Sequence, residues 1–221
     1  MNAVYVQYGT GPTSCPAGWI NYDVSPTLVL QKIPALGSIL VPRKQRFPDG
    51  IQYGDIRKGL PVTAGTVAGI YCSHVLEHLC LEDCLVALAN TFKVLQPGGV
   101  FRLIVPDLAE RAKRYVASVE RGEADASLKL LMSCHLGKER RARGLIATLR
   151  ELIGNSAHLW MWDEHSLRRA LADAGFVGIR RCAFGDAEDP MFARVEDQRR
   201  FIDLKFEPPL QELALEARKP A

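Results

Sequence analysis

The stretch VQYGTGPTSCPAGWINYD, residues 6–23, contains the turn around which the rest of the chain is interpreted. An apolar run leads into Gly9-Thr10-Gly11, as in nucleotide-binding turns, where a helix normally follows and its N-terminal amides face a phosphate. Pro12 and Pro16 come directly afterwards and argue against such a helix. The turn therefore suits a ligand that approaches exposed backbone amides and carries no pyrophosphate.

Around this turn, short apolar runs alternate with longer stretches of helical periodicity. This alternation is typical of parallel βαβ units. Seven runs read as strands, namely residues 3–8, 19–23, 51–55, 67–73, 100–106, 176–184 and 210–217. The sequence thus predicts an α/β fold with a mostly parallel seven-stranded sheet and helices on both faces.

Three stretches carry clear helix signals. Ser25-Pro26 is typical of a helix start, with serine as the cap and proline at the first helical position. Residues 81–95 place apolar side chains at the spacing of one buried helix face, before Pro97-Gly98-Gly99. A third helix is predicted from the Asp163 cap to Gly175. Residues 108–157 are helical in pattern and rich in charge, so we expect one domain over residues 1–221 with this segment as a helical, substrate-side insertion after the fifth strand.

Composition narrows the class of protein. The chain has 221 residues, a formal charge of +3 and a pI near 8.5, which is too mild to indicate a nucleic-acid partner. Its six cysteines form no CxxC pair, and no secretory signal precedes the first strand, so we expect a reduced protein in the cytoplasm. The apolar stretch 28–41 is interrupted by polar residues and a proline, so no transmembrane segment is expected.

Candidate binding residues follow the carboxyl ends of four consecutive strands. The glycine turn ends the first strand, Asp23 the second, Asp55 the third, and Ser73-His74 the fourth. In open α/β sheets this edge is where ligands bind. A carboxylate after the second strand can accept hydrogen bonds from both hydroxyls of a ribose, and one after the third can accept from an adenine amino group.

Five segments together resemble the class I S-adenosylmethionine-dependent methyltransferases: GTGPTSCPAGWINYD, GDIRKGLPV, IYCSHVLEHL, FKVLQPGGVFRLIVPDL and HLWMWDEHSLRRALADAGF. The likeness runs from about residue 4 to residue 185. It is greatest to the compact bacterial branch linked to polysaccharide and O-antigen synthesis. The chain departs from the usual pattern at Thr10, where the family more often has a small residue or cysteine between the glycines.

The resemblance implies S-adenosylmethionine as the cofactor and assigns roles to matching positions. The glycine turn and the tyrosine before it would hold the methionine part, and Asp23 would hold the ribose. Asp55 and Ile56 would hold the adenine, and Ser73 and His74 would lie beside the sulfonium. The implied cofactor-binding residues are Tyr8, Gly9, Thr10, Gly11, Asp23, Asp55, Ile56, Ser73 and His74.

The reaction that this implies is methyl transfer, for which we expect O-methylation of a sugar or another small acceptor. A hydroxyl acceptor benefits from a nearby base. His158 is the first candidate for that catalytic base, and His74 is the second. Two other functions stay open, a nicotinamide-dependent oxidoreductase and a binding protein that keeps the fold without catalysis.

Several patterns have a functional and a structural interpretation. His74, His78, Cys80 and Cys84 resemble a zinc cluster, but Cys84 falls on an apolar helix face, so no metal site is expected. Trp160 and Trp162 could face a sugar, although burial in the core is favoured. The basic residues Lys138, Arg140, Arg141 and Arg143 either grip an acidic acceptor or form a solvated surface. Surface attachment to a membrane through residues 28–46 is a weaker hypothesis.

Overall fold

The structure is a computed structural model that describes residues 3–12, 16–33, 41–137 and 157–221. Its main sheet has seven strands in the order β3-β2-β1-β4-β5-β9-β6. Every neighbouring pair is parallel except those made by β9, which runs antiparallel to β5 and to β6. The strands of this sheet are β1 Val4–Tyr8, β2 Ile20–Asp23, β3 Ile51–Tyr53, β4 Val67–Ser73, β5 Leu95–Val105, β6 Val177–Arg181 and β9 Leu213–Arg218.

The predicted mostly parallel seven-stranded sheet is confirmed. The last predicted strand, however, is divided into β8, Leu210–Gln211, and β9. β8 leaves the main sheet and pairs with β7, Ile202–Asp203, in a separate two-stranded ribbon. The division falls at Glu212, whose buried carboxylate pairs with Arg111.

Five α-helices lie in the described segments: α1 Pro26–Gln31, α2 Leu81–Val94, α3 Leu108–Glu120, α4 Ala126–Ser133 and α5 Glu164–Asp173. Both predicted N-caps are present. The Ser25 side chain accepts a hydrogen bond from the Thr27 amide, and Asp163 forms a capping box with Ser166. Helices α3 and α4 supply the described part of the predicted insertion.

The two faces of the sheet are covered differently. Helices α2 and α5 pack on one face through side chains such as Leu88 and Leu167. The other face is covered by the chain after β6, including a 3₁₀ helix at Pro190–Arg194, through Phe192 and Phe201. This second covering segment lies at the carboxyl end of the sheet and forms part of the site described below.

Helix α2 buries a face that differs in part from the predicted one. Leu81 and Leu85 are exposed, whereas Ala87, Thr91 and Val94 are buried. The prediction followed the large apolar residues, but small and polar residues form much of the buried face of the helix. The true buried face is therefore rotated around the helix axis from the predicted one. Within the described residues, no helix has the length and apolar character needed to cross a membrane.

Candidate active site

The glycine turn after β1 has a backbone conformation that glycine adopts more easily than other residues do. Gly9 and Gly11 have φ angles of 72° and 59°. A Cβ added at Gly9 would lie 2.0 Å from Cγ2 of Val75, whereas one added at Gly11 meets nothing within 4 Å. The turn therefore packs directly against the segment that follows β4.

Asp23 connects the end of β2 to this turn. Its Oδ2 accepts a hydrogen bond from the Gly11 amide at 2.9 Å, and its Oδ1 accepts from the Ser25 amide at 2.7 Å. The Gly54 amide, at the end of β3, donates to the Asp23 carbonyl. The Asp23 carboxylate thus holds the glycine turn, while the Asp23 backbone carbonyl holds the end of β3, at the edge of the sheet where the sequence placed these residues.

Asp55 is engaged by its neighbour Arg57. The guanidinium donates to both carboxylate oxygens, at 2.9 and 2.8 Å, and the Arg57 amide donates to Oδ1. The hydrogen bonds from Arg57 outweigh burial and hold the pKa of Asp55 below its ordinary value. The Ile56 side chain is buried in the core. An adenine at this position would therefore meet the backbone of Ile56 and a carboxylate shared with Arg57.

Tyr8, one of the predicted cofactor-binding residues, directs its side chain into the core and not towards the glycine turn. Its ring is buried in the core beneath α2, and its hydroxyl lies 3.1 Å from Oγ1 of Thr91. Since successive side chains of a strand point to opposite faces, Gln7 occupies the ligand side instead. Gln7 Oε1 is buried without a hydrogen-bond partner.

A cavity of about 800 Å³ opens over the glycine turn. It is bordered by Gln7, Gly9, Thr10 and Ser73, and residues 194–200 form its opposite wall. The Ser73 hydroxyl is also buried without a hydrogen-bond partner. Backbone glycine and unpaired polar atoms on one wall provide the donors and acceptors that a polar cofactor needs.

A second cavity, of about 480 Å³, adjoins the first one. Arg199 and Arg200 line both cavities, and the consecutive residues Ser73 and His74 face one each. The second cavity contains four histidines together with charged side chains of both signs. They are His74, His78, His135 and His158, with Glu77, Arg111, Asp203, Lys205 and Glu212.

The sequence profile of a family described as a methyltransferase domain matches residues 19–180, most of the chain. The chain belongs to this methyltransferase family. It is accordingly a class I enzyme that uses S-adenosylmethionine, and neither the oxidoreductase nor the binding-protein alternative is favoured.

Solved structures with the same fold share little sequence with this methyltransferase. A methyltransferase in complex with the Trm112 activator from Haloferax volcanii is 15% identical, with a TM-score of 0.50 over 99% of this chain and 82% of that one. A SAM-dependent methyltransferase from Archaeoglobus fulgidus is 13% identical, with a TM-score of 0.48 over 98% and 86% of the two chains. No protein of curated function matches the sequence significantly.

His74 is held on both sides of its ring. Nδ1 lies 3.1 Å from Oε1 of Glu77, and Nε2 lies 3.0 Å from the carbonyl oxygen of Arg200. Burial lowers the pKa of His74, but the hydrogen bond and negative charge of Glu77 outweigh it and raise the pKa overall. Both ring nitrogens of His74 thus face an acceptor, which holds the ring in place. In this methyltransferase, that geometry favours a positioning role for His74.

His158 is the other predicted base, and its surroundings are different. It is buried in the second cavity, and its Nδ1 has no hydrogen-bond partner. Burial, with the nearby His78 and His135 rings, lowers the pKa of His158 to about 4 despite the opposing charge of Glu77. The ring is consequently neutral at physiological pH, with a nitrogen that can accept a proton or bind a cation.

The remaining sequence candidates have different outcomes. Cys84 donates its thiol to the Leu76 carbonyl inside the core, and Cys80 is exposed, so the proposed histidine–cysteine cluster is not assembled. Trp162 is buried in the core, whereas Trp160 is partly exposed. The four basic residues at 138–143 lie outside the described residues.

Sequence reasoning missed most of the charged residues of the second cavity, and Glu77 and His135 are the two nearest to the predicted base His158. Glu77 stands between the two histidines of HVLEH, and that spacing could have indicated its position beside His78. His135 carries no such signal in the sequence. It has a φ of 51°, and His74 has 55°, the two non-glycine residues with positive φ in the described part of the chain. Backbone strain of this kind gathers at functional sites.

Proposed function

We propose that this methyltransferase transfers a methyl group to an oxygen atom of a small polar acceptor, a sugar or a related molecule, bound in the histidine-lined cavity. One observation carries the proposal: the two cavities meet at Arg199 and Arg200, and Ser73 and His74 face one cavity each. A cofactor over the glycine turn and an acceptor beside His158 would therefore be neighbours.

The cofactor side is assigned as the sequence predicted, apart from the Tyr8 ring. We place the methionine part beside Gly9, Thr10 and Gly11, the ribose at Asp23, and the adenine near Asp55 and Ile56. The Asp23 oxygens each accept one backbone amide, so a carboxylate with two lone pairs per oxygen keeps capacity for two ribose hydroxyls.

Arg57 must share Asp55 with an adenine amino group in this arrangement. Its side chain is 40% exposed, so it can move towards solvent while the adenine amino group takes its place on the buried Asp55 carboxylate. Asp83 lies 3.5 Å from Arg57 Nη1 and provides an alternative partner. Cofactor binding is therefore compatible with the ion pair, at the cost of loosening it.

The bound cofactor supplies a methyl group already activated by a positively charged sulfur. The chain has to align the acceptor oxygen with that methyl group and to exclude water. His158 is the group on which acceptor activation depends, because its ring is neutral and has an unpaired nitrogen. His74, fixed between Glu77 and Arg200, orients the wall shared by the two ligands.

The charges of the acceptor cavity favour an acceptor with an acidic group, such as a phosphorylated or uronic-acid sugar. Arg200 and Lys205 line it, and no ion pair is formed by either among the described residues. Arg111 and His135, from residues 108–137, also line it, which supports a substrate-side role for the predicted insertion. A part in polysaccharide synthesis rests on the sequence resemblance. The five described cysteines are free thiols, which supports the cytoplasmic location.

Titration calorimetry tests the cofactor assignment. We expect S-adenosylhomocysteine to bind with a stoichiometry of one, and NAD not to bind. Asp23→Ala should weaken the binding of S-adenosylhomocysteine by about tenfold or more, since it removes hydrogen bonds to a charged group. Asp173→Ala, at an exposed carboxylate on α5, is the matched control and should leave affinity unchanged. Equal affinities in all three proteins would exclude the proposed site.

A further inference from the structure

The acceptor cavity contains three side chains of the types that bind transition metals. Glu77, His78 and His158 each offer one ligand atom, and the three atoms lie within 4.8 Å of one another. We propose that these residues form a binding site for a divalent transition-metal ion, with zinc as the reference case. Two imidazoles and one carboxylate are a common set of zinc ligands.

Two polar atoms of this set are buried and unpaired. Glu77 is 1% exposed and its Oε2 has no hydrogen-bond partner, while His158 is 9% exposed and its Nδ1 has none. Burying such atoms without partners costs free energy. A metal ion bound by both residues would give each of these atoms a partner.

The supporting contacts are those expected around metal-binding histidines. His78 Nδ1 lies 3.2 Å from the carbonyl oxygen of Ala157, a contact that places the proton on Nδ1 and leaves the other nitrogen as a ligand. The Leu159 amide donates to the Glu77 carbonyl at 2.7 Å. The His158 amide donates to the His135 carbonyl. Backbone hydrogen bonds thus hold the ligand-bearing segments together.

The spacing requires only a small closure. Ligand atoms about 2.1 Å from a tetrahedral ion are roughly 3.4 Å apart. Side-chain rotations that move these atoms by about 1 Å therefore complete the site. Three protein ligands leave at least one coordination position, which the cavity makes accessible to water or to the acceptor.

The ligand types select the kind of ion. The nearby arginines already have carboxylate partners, Arg111 with Glu212 and Arg199 with Asp197, so Glu77 is the carboxylate that faces the two imidazoles. Hard cations such as Mg²⁺ depend on several oxygen ligands, and here there is one carboxylate. Metals that bond strongly to imidazole, such as zinc, cobalt and nickel, are the ones that fit.

A role for this ion in acceptor activation rests on the proposed function, whereas its binding does not. His158 acting as a metal ligand would hold the ion near the acceptor oxygen and would not itself take the proton. An ion so placed lowers the pKa of an oxygen that it contacts.

The test is metal binding by the full chain, purified without a histidine tag and stripped with a chelator. Calorimetry with ZnCl₂ and the visible absorption of added Co²⁺ measure affinity and ligand geometry. We expect one equivalent to bind. The variants E77Q, H78Q and H158Q should each weaken binding at least about tenfold, since even the loss of supporting contacts costs about 10- to 100-fold. H78Q, at a half-buried residue, is the variant least disturbing to the fold.

Two controls make the result specific. H165Q removes an exposed histidine on α5, and Cys80→Ser removes an exposed thiol near the site; both should bind zinc as the wild type does. Loss of binding in Cys80→Ser, the same affinity in all variants, or no saturable binding by the wild type would each overturn the inference. A chain that binds S-adenosylhomocysteine but no zinc contradicts this inference alone. A chain that binds zinc but no S-adenosylhomocysteine contradicts the proposed function alone.

Discussion

Gly9 lies between the proposed cofactor cavity and the segment that carries His74 and His78. The Val75 side chain packs in the space that a side chain at position 9 would fill. Two different requirements act at this position. One is the positive φ, which L residues with a Cβ adopt at a cost of about 1 kcal/mol. The other is space, since a Cβ would overlap Val75 Cγ2. At Gly11 only the first requirement applies.

We therefore expect Gly9→Ala to lower the free energy of unfolding by about 2–4 kcal/mol, the sum of backbone strain and overpacking. Gly11→Ala is the matched control and should cost about 1 kcal/mol. Urea unfolding of both variants measures the difference. The double variant Gly9→Ala/Val75→Ala should recover part of the loss; if it recovers nothing, contact with Val75 is not the cause.

At the same scale, the sequence predicted which residues would come to the sheet edge but not what each would contact. Gly9, Asp23 and Ser73 lie where strand ends place them, since strand position can be read from apolar periodicity. The ion pair between Arg57 and Asp55 and the burial of the Tyr8 ring could not be predicted in that way. The first depends on a partner close enough to form a hydrogen bond, and the second depends on which face of the sheet the side chain points to.

Among the elements, α5 follows the candidate base His158 and begins at the Asp163 cap. The Ser166 amide, followed by its hydroxyl, holds the pKa of Asp163 below its ordinary value. A carboxyl whose pKa is lowered by folding stabilises the protein above its unfolded pKa, near 3.9, and loses that contribution as the pH falls through the folded value.

Asp163→Ala should therefore cost about 1 kcal/mol of unfolding free energy near neutral pH, as expected for loss of a cap. The difference from wild type should shrink as the pH falls below about 4. Asp163→Asn, which caps without a charge, should cost less than Asp163→Ala near neutral pH, and its difference from wild type should change with pH in the same way because it also lacks the carboxyl group. Urea unfolding at both pH values gives the comparison, and a cost for Asp163→Ala that does not change with pH would contradict the assignment.

Strands β5 and β9 are joined to the covering segment by one buried cation. Arg102 is 1% exposed and donates to Glu196 at 2.8 Å and to Glu216 at 2.7 Å. It also reaches Asp186 and the Ala183 carbonyl. Two of these carboxylates, those of Glu196 and Glu216, are themselves buried.

Arg102→Met should lower the unfolding free energy by about 3 kcal/mol, because it leaves the buried Glu196 with a backbone amide in place of a cation and takes one of two arginines from the buried Glu216. Arg169→Met is the matched control, an exposed arginine paired with Asp173 on α5, and should change the unfolding free energy far less than Arg102→Met does. Chemical unfolding of both variants measures the two losses of unfolding free energy, which can then be compared. Equal small losses would show that the buried cluster adds little to stability.

Over the whole molecule, the mostly parallel sheet and most of its strands could be predicted from the sequence, whereas the order of the strands and the cavities could not. Apolar runs and helix caps depend on residues that are close together in the sequence, so they can be recognised in a single sequence. The wall formed by residues 194–200 and the meeting of His135 with His158 bring together segments distant in the chain. The periodicity of apolar residues contains no information about contacts between such distant segments.

The most direct test of the account is a crystal structure of the protein with saturating S-adenosylhomocysteine. We predict the homocysteine over Gly9–Gly11, the ribose on Asp23, and the sulfur at the junction of the two cavities near Ser73 and His74. Ligand density elsewhere, or none at this edge of the sheet, would contradict the account.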